Sequence, residues 1–332
     1  MDLTFSRITQ LAFGYWQSQP LFLLAKFGIC DLLAKEPLSA GQISTELHLH
    51  PQACEGLLNA SVALKLLKKS AANESHYENT EMSSRYLTTK SHESLVHWVK
   101  VMGRWMEPWS KMDAVIESGV NAESQALRLG EDPEYSKDFI LGMHEFARRY
   151  SDQFAESLDL SGCRYLLDIG GGAGTYSIAL CKKYSDLKAT ILDLEPILKT
   201  TNEVVAASGF SERIHTKAAN YHHDHFGNHA DAILLSNVLH QESPEMCISI
   251  LKRALQAMND NGQLIVQSQF LEEDRITPTF TTLHNLSAWA LWDGGRSYTV
   301  SEMSLLIEEA GFRNITHRKM QNNVESLILA SK

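Results

Sequence analysis

The segment Asp168-Ile169-Gly170-Gly171-Gly172-Ala173-Gly174-Thr175 sets a carboxylate just ahead of four glycines. The apolar run Tyr165–Ile169 reads as a strand, and Ala173–Lys183 reads as a helix. A glycine-rich turn between them lets the backbone approach a ligand at the helix N-terminus. Two ligand classes compete for such a turn. A dinucleotide site needs G-x-G-x-x-G, which from Gly170 requires glycine where Thr175 stands. The pattern present is G-x-G-x-G behind Asp168. A carboxylate there repels a pyrophosphate. It suits a ligand with an ammonium and no phosphate, such as the methionine end of S-adenosylmethionine. A second acid, Asp193, follows the next strand, Ala189–Leu192, at the usual interval of about twenty residues for an acid that binds ribose hydroxyls. A βα turn with no ligand is the plain alternative. The ordered set of strand, Asp, glycines, helix, strand and Asp argues against it.

His240 closes the run Ile233-Leu-Leu-Ser-Asn-Val-Leu-His, at the carboxyl edge of a strand, where open α/β sheets bind ligands. A lone histidine is most often structural. At that edge, with an ordinary pKa of about 6.5, it can act as a general base on a phenol. The stretch His215…His222-His223-Asp224-His225…His229 invites a metal reading, but it falls between two expected strands. Composition without converging ligands reads as a solvated loop, so no metal is expected.

The elements that must hold these residues follow from periodicity. Strands are expected at 165–169, 189–192, 230–235, 264–270 and 324–330. Helices are expected at 173–183, 245–258 and 301–310. Strand–helix alternation implies a doubly wound, largely parallel sheet. The first part, 1–100, reads helical. Ser39 caps a helix at 41–47, Pro51 opens one at 52–67, and 68–80 reads as a loop or β-wing, a winged-helix-like module. Residues 101–332 form the second domain, whose segment 101–160 is a helical connection rich in Met and Trp. Those large side chains are core first and pocket wall second.

Composition bounds the rest. Net charge is −10 and 44 % of residues are apolar. An acidic protein of this kind is a poor partner for nucleic acid or anionic membrane. Through residue 95 there are eight Lys/Arg against nine Asp/Glu, so the helix–turn–helix pattern lacks a DNA-binding face. Five cysteines without a C-x-x-C pair read as reduced, which with no apolar run of membrane length leads to the expectation of a cytoplasmic protein.

At these residues the chain resembles the S-adenosylmethionine-dependent small-molecule O-methyltransferases of the plant caffeate type and the bacterial natural-product type. The resemblance runs over nearly the whole length. It is carried by Asp168–Gly174, Asp193-Leu194, Leu235–His240, Gly294-Gly295-Arg296 with Thr299, and Glu308–Phe312, with Tyr86-Leu-Thr88 after the wing. It implies a Rossmann-like methyltransferase domain with a mostly parallel seven-stranded sheet. A winged-helix-like dimerisation domain precedes it and makes a homodimer. It implies cofactor contacts from Asp168, Gly170, Gly172, Asp193, Leu194, Asn220, Tyr221 and Ser236, with Asn220 standing where relatives carry Asp, and His240 as catalytic base. Met143, Phe146, Asn237, Trp289 and Trp292 are candidate acceptor contacts. Two departures stand out: Gln241 follows the histidine where many relatives have Asp, and Ser297 replaces a supporting Glu. Asp293 or Glu242 are the carboxylates left to support His240. The same departures keep open N- or C-methylation, and a non-methylating, pericyclase-like member that binds the cofactor.

Overall fold

The computed structural model describes residues 3–122, 129–320 and 325–332. The chain divides into two compact units, Met1–Met106 and Glu107–Lys332.

In the first unit, Ser39 caps the helix Ala40–Glu46 with a reciprocal capping box: Gln42 N–H donates to Ser39 Oγ, and Ser39 N–H donates to Gln42 Oε1. Pro51 opens the next helix, Pro51–Ala63. That helix ends earlier than its apolar spacing suggests. Lys65 turns to a φ of 60°, and Leu67, 1 % exposed, becomes the first residue of strand β2 (Leu67–Lys69). With β1 (Leu38–Ser39) and β3 (His76–Asn79) it makes an antiparallel sheet in the order β1-β3-β2, the wing. Leu24, Ile29, Ile43, Leu58 and Tyr77 form its core. The N-terminal helices instead expose Phe5, Ile8, Leu11, Tyr15 and Trp16.

In the second unit, apolar runs without polar alternation form the central strands, buried on both faces, and two largely exposed edge strands complete the sheet. These are β4 (Tyr165–Ile169), β5 (Lys188–Asp193), β6 (Ile214–Ala218), β7 (Ala230–Ser236), β8 (Met258–Ser268), β9 (Arg313–Lys319) and β10 (Ser326–Ser331). The sheet order is β6-β5-β4-β7-β8-β10-β9. β6 through β8 run parallel, and β10 and β9 are antiparallel additions. Neighbouring residues feed opposite cores: Leu167 and Ile233 pack with Ile250 and Phe312, whereas Leu166 and Leu234 pack with Phe154 and Leu180.

The segment 101–160 is helical in pieces, among them Met112–Ser118 and Pro133–Glu156. Two expectations are corrected. β8 runs from Met258 to Ser268, so the strand expected at 264–270 begins six residues earlier. β6 and β9 were not expected as strands. Val324, expected to open the last strand, lies outside the described residues. No helix among the described residues is long and apolar enough to cross a membrane.

The chain lays β5 and β6 to one side of β4, then crosses to place β7 and β8 on the other. The order therefore reverses between β4 and β7. The carboxyl ends at such a reversal are where open α/β sheets bind ligands. Asp168 and the glycine loop end β4; Ser236 to His240 follow from β7.

Candidate active site

The glycine loop is held by its own acids. Asp193 Oδ2 accepts from Gly172 N–H at 2.8 Å, and its Oδ1 accepts from Leu194 N–H at 2.8 Å. Ser177 Oγ donates to Asp168 Oδ2 at 2.6 Å. Asp168 is 2 % exposed, and its other oxygen, Oδ1, is buried with no hydrogen-bond partner. Burial pushes this carboxyl up to about 7, with nearby Asp193 adding to the rise. Burial raises the Asp193 carboxyl too. The glycines are steric necessities: a Cβ on Gly171 would stand 2.6 Å from the Asp168 carboxyl carbon, and one on Gly170 2.8 Å from Val238. The result is a bare backbone cradle beside a buried carboxylate with an open oxygen. That fits an ammonium-bearing ligand, which would restore the ionised form that burial disfavours.

The next loop follows β6. Asn220 Oδ1 accepts from His222 N–H, and Asp224 Oδ2 accepts from Asn220 N–H, so both side chains close their own turn. The Tyr221 ring lies 3.6 Å from where a Gly170 Cβ would be, so it faces the cradle. Glu242, 6 % exposed, hydrogen-bonds His222 Nε2 at 2.9 Å and also engages Tyr221. This carboxylate is engaged by His222 and Tyr221 and does not support His240.

His240 sits in the short 3-10 turn Leu239–Gln241, 8 % exposed. Its backbone oxygen accepts from Arg296 N–H at 2.9 Å. The Gly294-Gly295 pair lets that segment close on the turn: a Cβ on Gly295 would lie 3.2 Å from the His240 oxygen and 2.7 Å from Trp292 Cβ. Gln241 donates to Asn237 O, and Ser297 N–H donates to Asn285 Oδ1. Among the described residues no carboxylate reaches the His240 ring. Its neighbours are aromatic: His284 at 4.9 Å between ring centres, edge to face, and Trp292 at 5.2 Å. Burial first, and His284 second, hold the His240 imidazole well below its ordinary 6.5.

Of the other sequence candidates, Ser236 Oγ donates to Gln267 Oε1 at 2.9 Å. Gln267 Nε2 donates to Tyr176 Oη at 3.0 Å and to Glu325 Oε2 at 2.9 Å. Asn237, held at a φ of 54°, reaches Glu325 with its amide at 3.4 Å. Met143 and Phe146 lie half-buried on the helix Pro133–Glu156, where Phe146 packs edge-on to Tyr150. Trp292 joins the His240 cluster, whereas Trp289 is 40 % exposed and makes no ring contact with it. Sequence reasoning missed His284, Gln267 and Tyr176. His284 belongs to no motif, and Gln267 looks like an ordinary strand residue. Only its full burial marks it.

Comparison with known proteins bears on the family and the fold. Residues 120–313 match the O-methyltransferase domain, and residues 9–89 match the O-methyltransferase dimerisation domain. The chain is 29 % identical over 312 residues to a 3-hydroxy-5-methyl-1-naphthoate 3-O-methyltransferase of Streptomyces sahachiroi, covering 92 % of this chain and 88 % of that one. It is 29 % identical over 319 residues to the acetylserotonin O-methyltransferase of Macaca mulatta, covering 92 % of each. The crystal structure of human N-acetylserotonin methyltransferase in complex with SAM superposes with a TM-score of 0.90 at 28 % identity, covering 100 % of this chain and 98 % of that one.

Proposed function

The chain belongs to the O-methyltransferase family, and on that footing we propose that it moves a methyl group from S-adenosylmethionine to a hydroxyl of an aromatic or polyketide-like small molecule, with His240 as general base. The observation that carries this reading is the pair of strand ends at the β4–β7 reversal. One carries a buried carboxylate with an open oxygen, Asp168, and the other leads to a buried imidazole, His240, that no carboxylate among the described residues reaches. The cofactor, when bound, supplies an electrophilic methyl carbon on a sulfonium. The chain's own residues do the rest. Asp168 and the glycine backbone hold the ammonium end, Asp193 and Leu194 stand where the ribose belongs, and Asn220, Tyr221 and Ser236 flank the remainder. Met143, Phe146, Asn237 and Trp292, with Trp289 at the rim, wall the acceptor. Alignment of acceptor oxygen, carbon and sulfur is the larger part of the catalysis, and His240 takes the acceptor's proton.

A base held well below 6.5 and lacking a carboxylate is a weak one. It favours acidic hydroxyls, such as those conjugated to a carbonyl, over a simple phenol of pKa about 10. The same weakness supports nitrogen or activated-carbon acceptors as a second reading, because they ask less of a base. The test is formation of S-adenosylhomocysteine from S-adenosylmethionine with a panel of hydroxylated naphthoates, quinones and indoles and of aromatic amines without a hydroxyl. Turnover that needs a hydroxylated acceptor supports the reading. Turnover only with amines transfers it to the second.

The dimerisation-domain match and the exposed apolar N-terminal helices support a homodimer as the working form.

A further inference from the structure

The segment 281–297 carries an excess of buried polar atoms without partners. Thr281 Oγ1, His284 Nδ1, Arg296 Nε and Ser297 Oγ are all buried and make no hydrogen bond. Leaving one such atom unsatisfied costs about 1–3 kcal/mol, so a cluster of them asks for an explanation. A histidine retained only to pack would be replaced at no loss by an apolar ring. His284 is instead set edge to face on His240 at 4.9 Å, with Trp292 5.9 Å away and Phe280 stacked on it at 6.5 Å. Phe280 is 50 % exposed, so this ring cluster leads from the surface to the base.

We propose that His284 is a second acceptor-binding residue, which holds an oxygen adjacent on the ring to the hydroxyl that is methylated, so that the acceptor is a planar aromatic with two neighbouring oxygens. This rests on the methyl-transfer reading above. Two imidazoles at this spacing can each reach one of two adjacent ring oxygens. Burial lowers both, His284 to about 4. Both are therefore neutral near pH 7, and each offers one N–H donor and one lone pair. His284 donates its N–H to the second oxygen and stays neutral. The His240 lone pair takes the proton of the first hydroxyl. That oxygen's pair forms the bond to the methyl carbon as the carbon–sulfur bond breaks, and the breaking pair returns to sulfur as a neutral thioether. The proton leaves His240 for water afterwards. Donation to the neighbouring oxygen also makes the first hydroxyl more acidic, which compensates for a weak base.

The experiment compares naphthalene-2,3-diol with 2-naphthol, measuring binding by calorimetry in the presence of S-adenosylhomocysteine and turnover with S-adenosylmethionine. Wild type, His284→Phe and His284→Gln are used, each checked for an unchanged melting midpoint. Wild type is expected to favour the diol by at least about tenfold in Kd and kcat/KM, since a site built to bond a polar group rejects the analogue lacking it. His284→Phe, which keeps the ring, should erase that preference, and His284→Gln should recover part of it. Equal binding of diol and naphthol by wild type, no binding of either, or a preference that survives His284→Phe overturns the proposal. Diol-selective binding without any methylated product overturns oxygen methylation instead and leaves the binding role standing.

Discussion

At the scale of single residues, the candidate active site holds a pair of ionisable groups pushed in opposite directions by the same burial. Asp168 is raised to about 7 and His240 lowered well below 6.5, so both are largely neutral in mildly acidic solution. Cofactor affinity should then depend on pH. Below about 7 the Asp168 carboxyl is protonated and offers no counter-charge to an ammonium. Affinity for S-adenosylhomocysteine, titrated by calorimetry from pH 5.5 upward, should rise by up to about tenfold per unit to near pH 7. It should fall again at higher pH, as the ligand's amino group deprotonates. Asp168→Asn should flatten the rising limb. The stability sign is opposite. A carboxyl raised from 3.8 to about 7 makes the native chain hold more protons than the unfolded one across that window, so without ligand the stability falls as pH rises through it. His240→Ala should lower kcat by about a hundredfold or more, the usual worth of a positioned base, with cofactor affinity unchanged in the same calorimeter. An acceptor already ionised in water would lose far less, and that outcome would remove His240 from the chemistry.

At the scale of elements, the glycine loop and the ends of β4 and β7 were legible because their geometry demands particular residue types. Gly174 shows why: its φ is 73°, and a Cβ would come 2.4 Å from Ile191. Gly174→Ala should therefore cost at least about 1–2 kcal/mol from the left-handed backbone alone. In a domain of this size that amounts to a fall of several degrees in melting midpoint, readable by calorimetry. β6 and β9 were not legible, because they are edge strands. β9 reads Arg-Asn-Ile-Thr-His-Arg-Lys and is exposed along almost its whole length, so no apolar pattern announces it, and its charges keep the edge from pairing with another chain. His284 was illegible for another reason: 44 residues separate it from His240, and only the packing of the helix Thr279–Leu291 joins them. Gln267 was hidden by its neighbours, yet it ties β8 to Ser236, Tyr176 and Glu325. Gln267→Leu would strand these buried groups. It should destabilise the fold by about 2–4 kcal/mol, summing penalties of about 1–3 each with partial relief by water, as measured by urea unfolding.

At the scale of the whole molecule, the charge and the exposed apolar surface pull against each other. A net charge of −10 keeps copies apart, yet the N-terminal helices show Phe5 at 67 %, Ile8 at 62 %, Leu11 at 61 % and Trp16 at 57 % exposure. On the helix Leu3–Ala12, Ile8 and Leu11 are three residues apart and share a face with Phe5, making one continuous apolar stripe. Scattered apolar residues on a surface need no explanation, whereas a contiguous stripe marks a partner. Residues 9–89 match the O-methyltransferase dimerisation domain, so a second copy is the partner expected for this stripe, whose Leu11 lies inside the match. The paired substitution Ile8→Asp with Leu11→Asp leaves the core of the first unit alone, because neither residue belongs to it. Sedimentation velocity at micromolar concentration should show wild type as a dimer and the variant as a monomer, with the second unit's cofactor affinity preserved. A variant that still sediments as a dimer would move the interface elsewhere on the first unit. A wild type that sediments as a monomer would leave the stripe to some other partner and take the homodimer out of the reading.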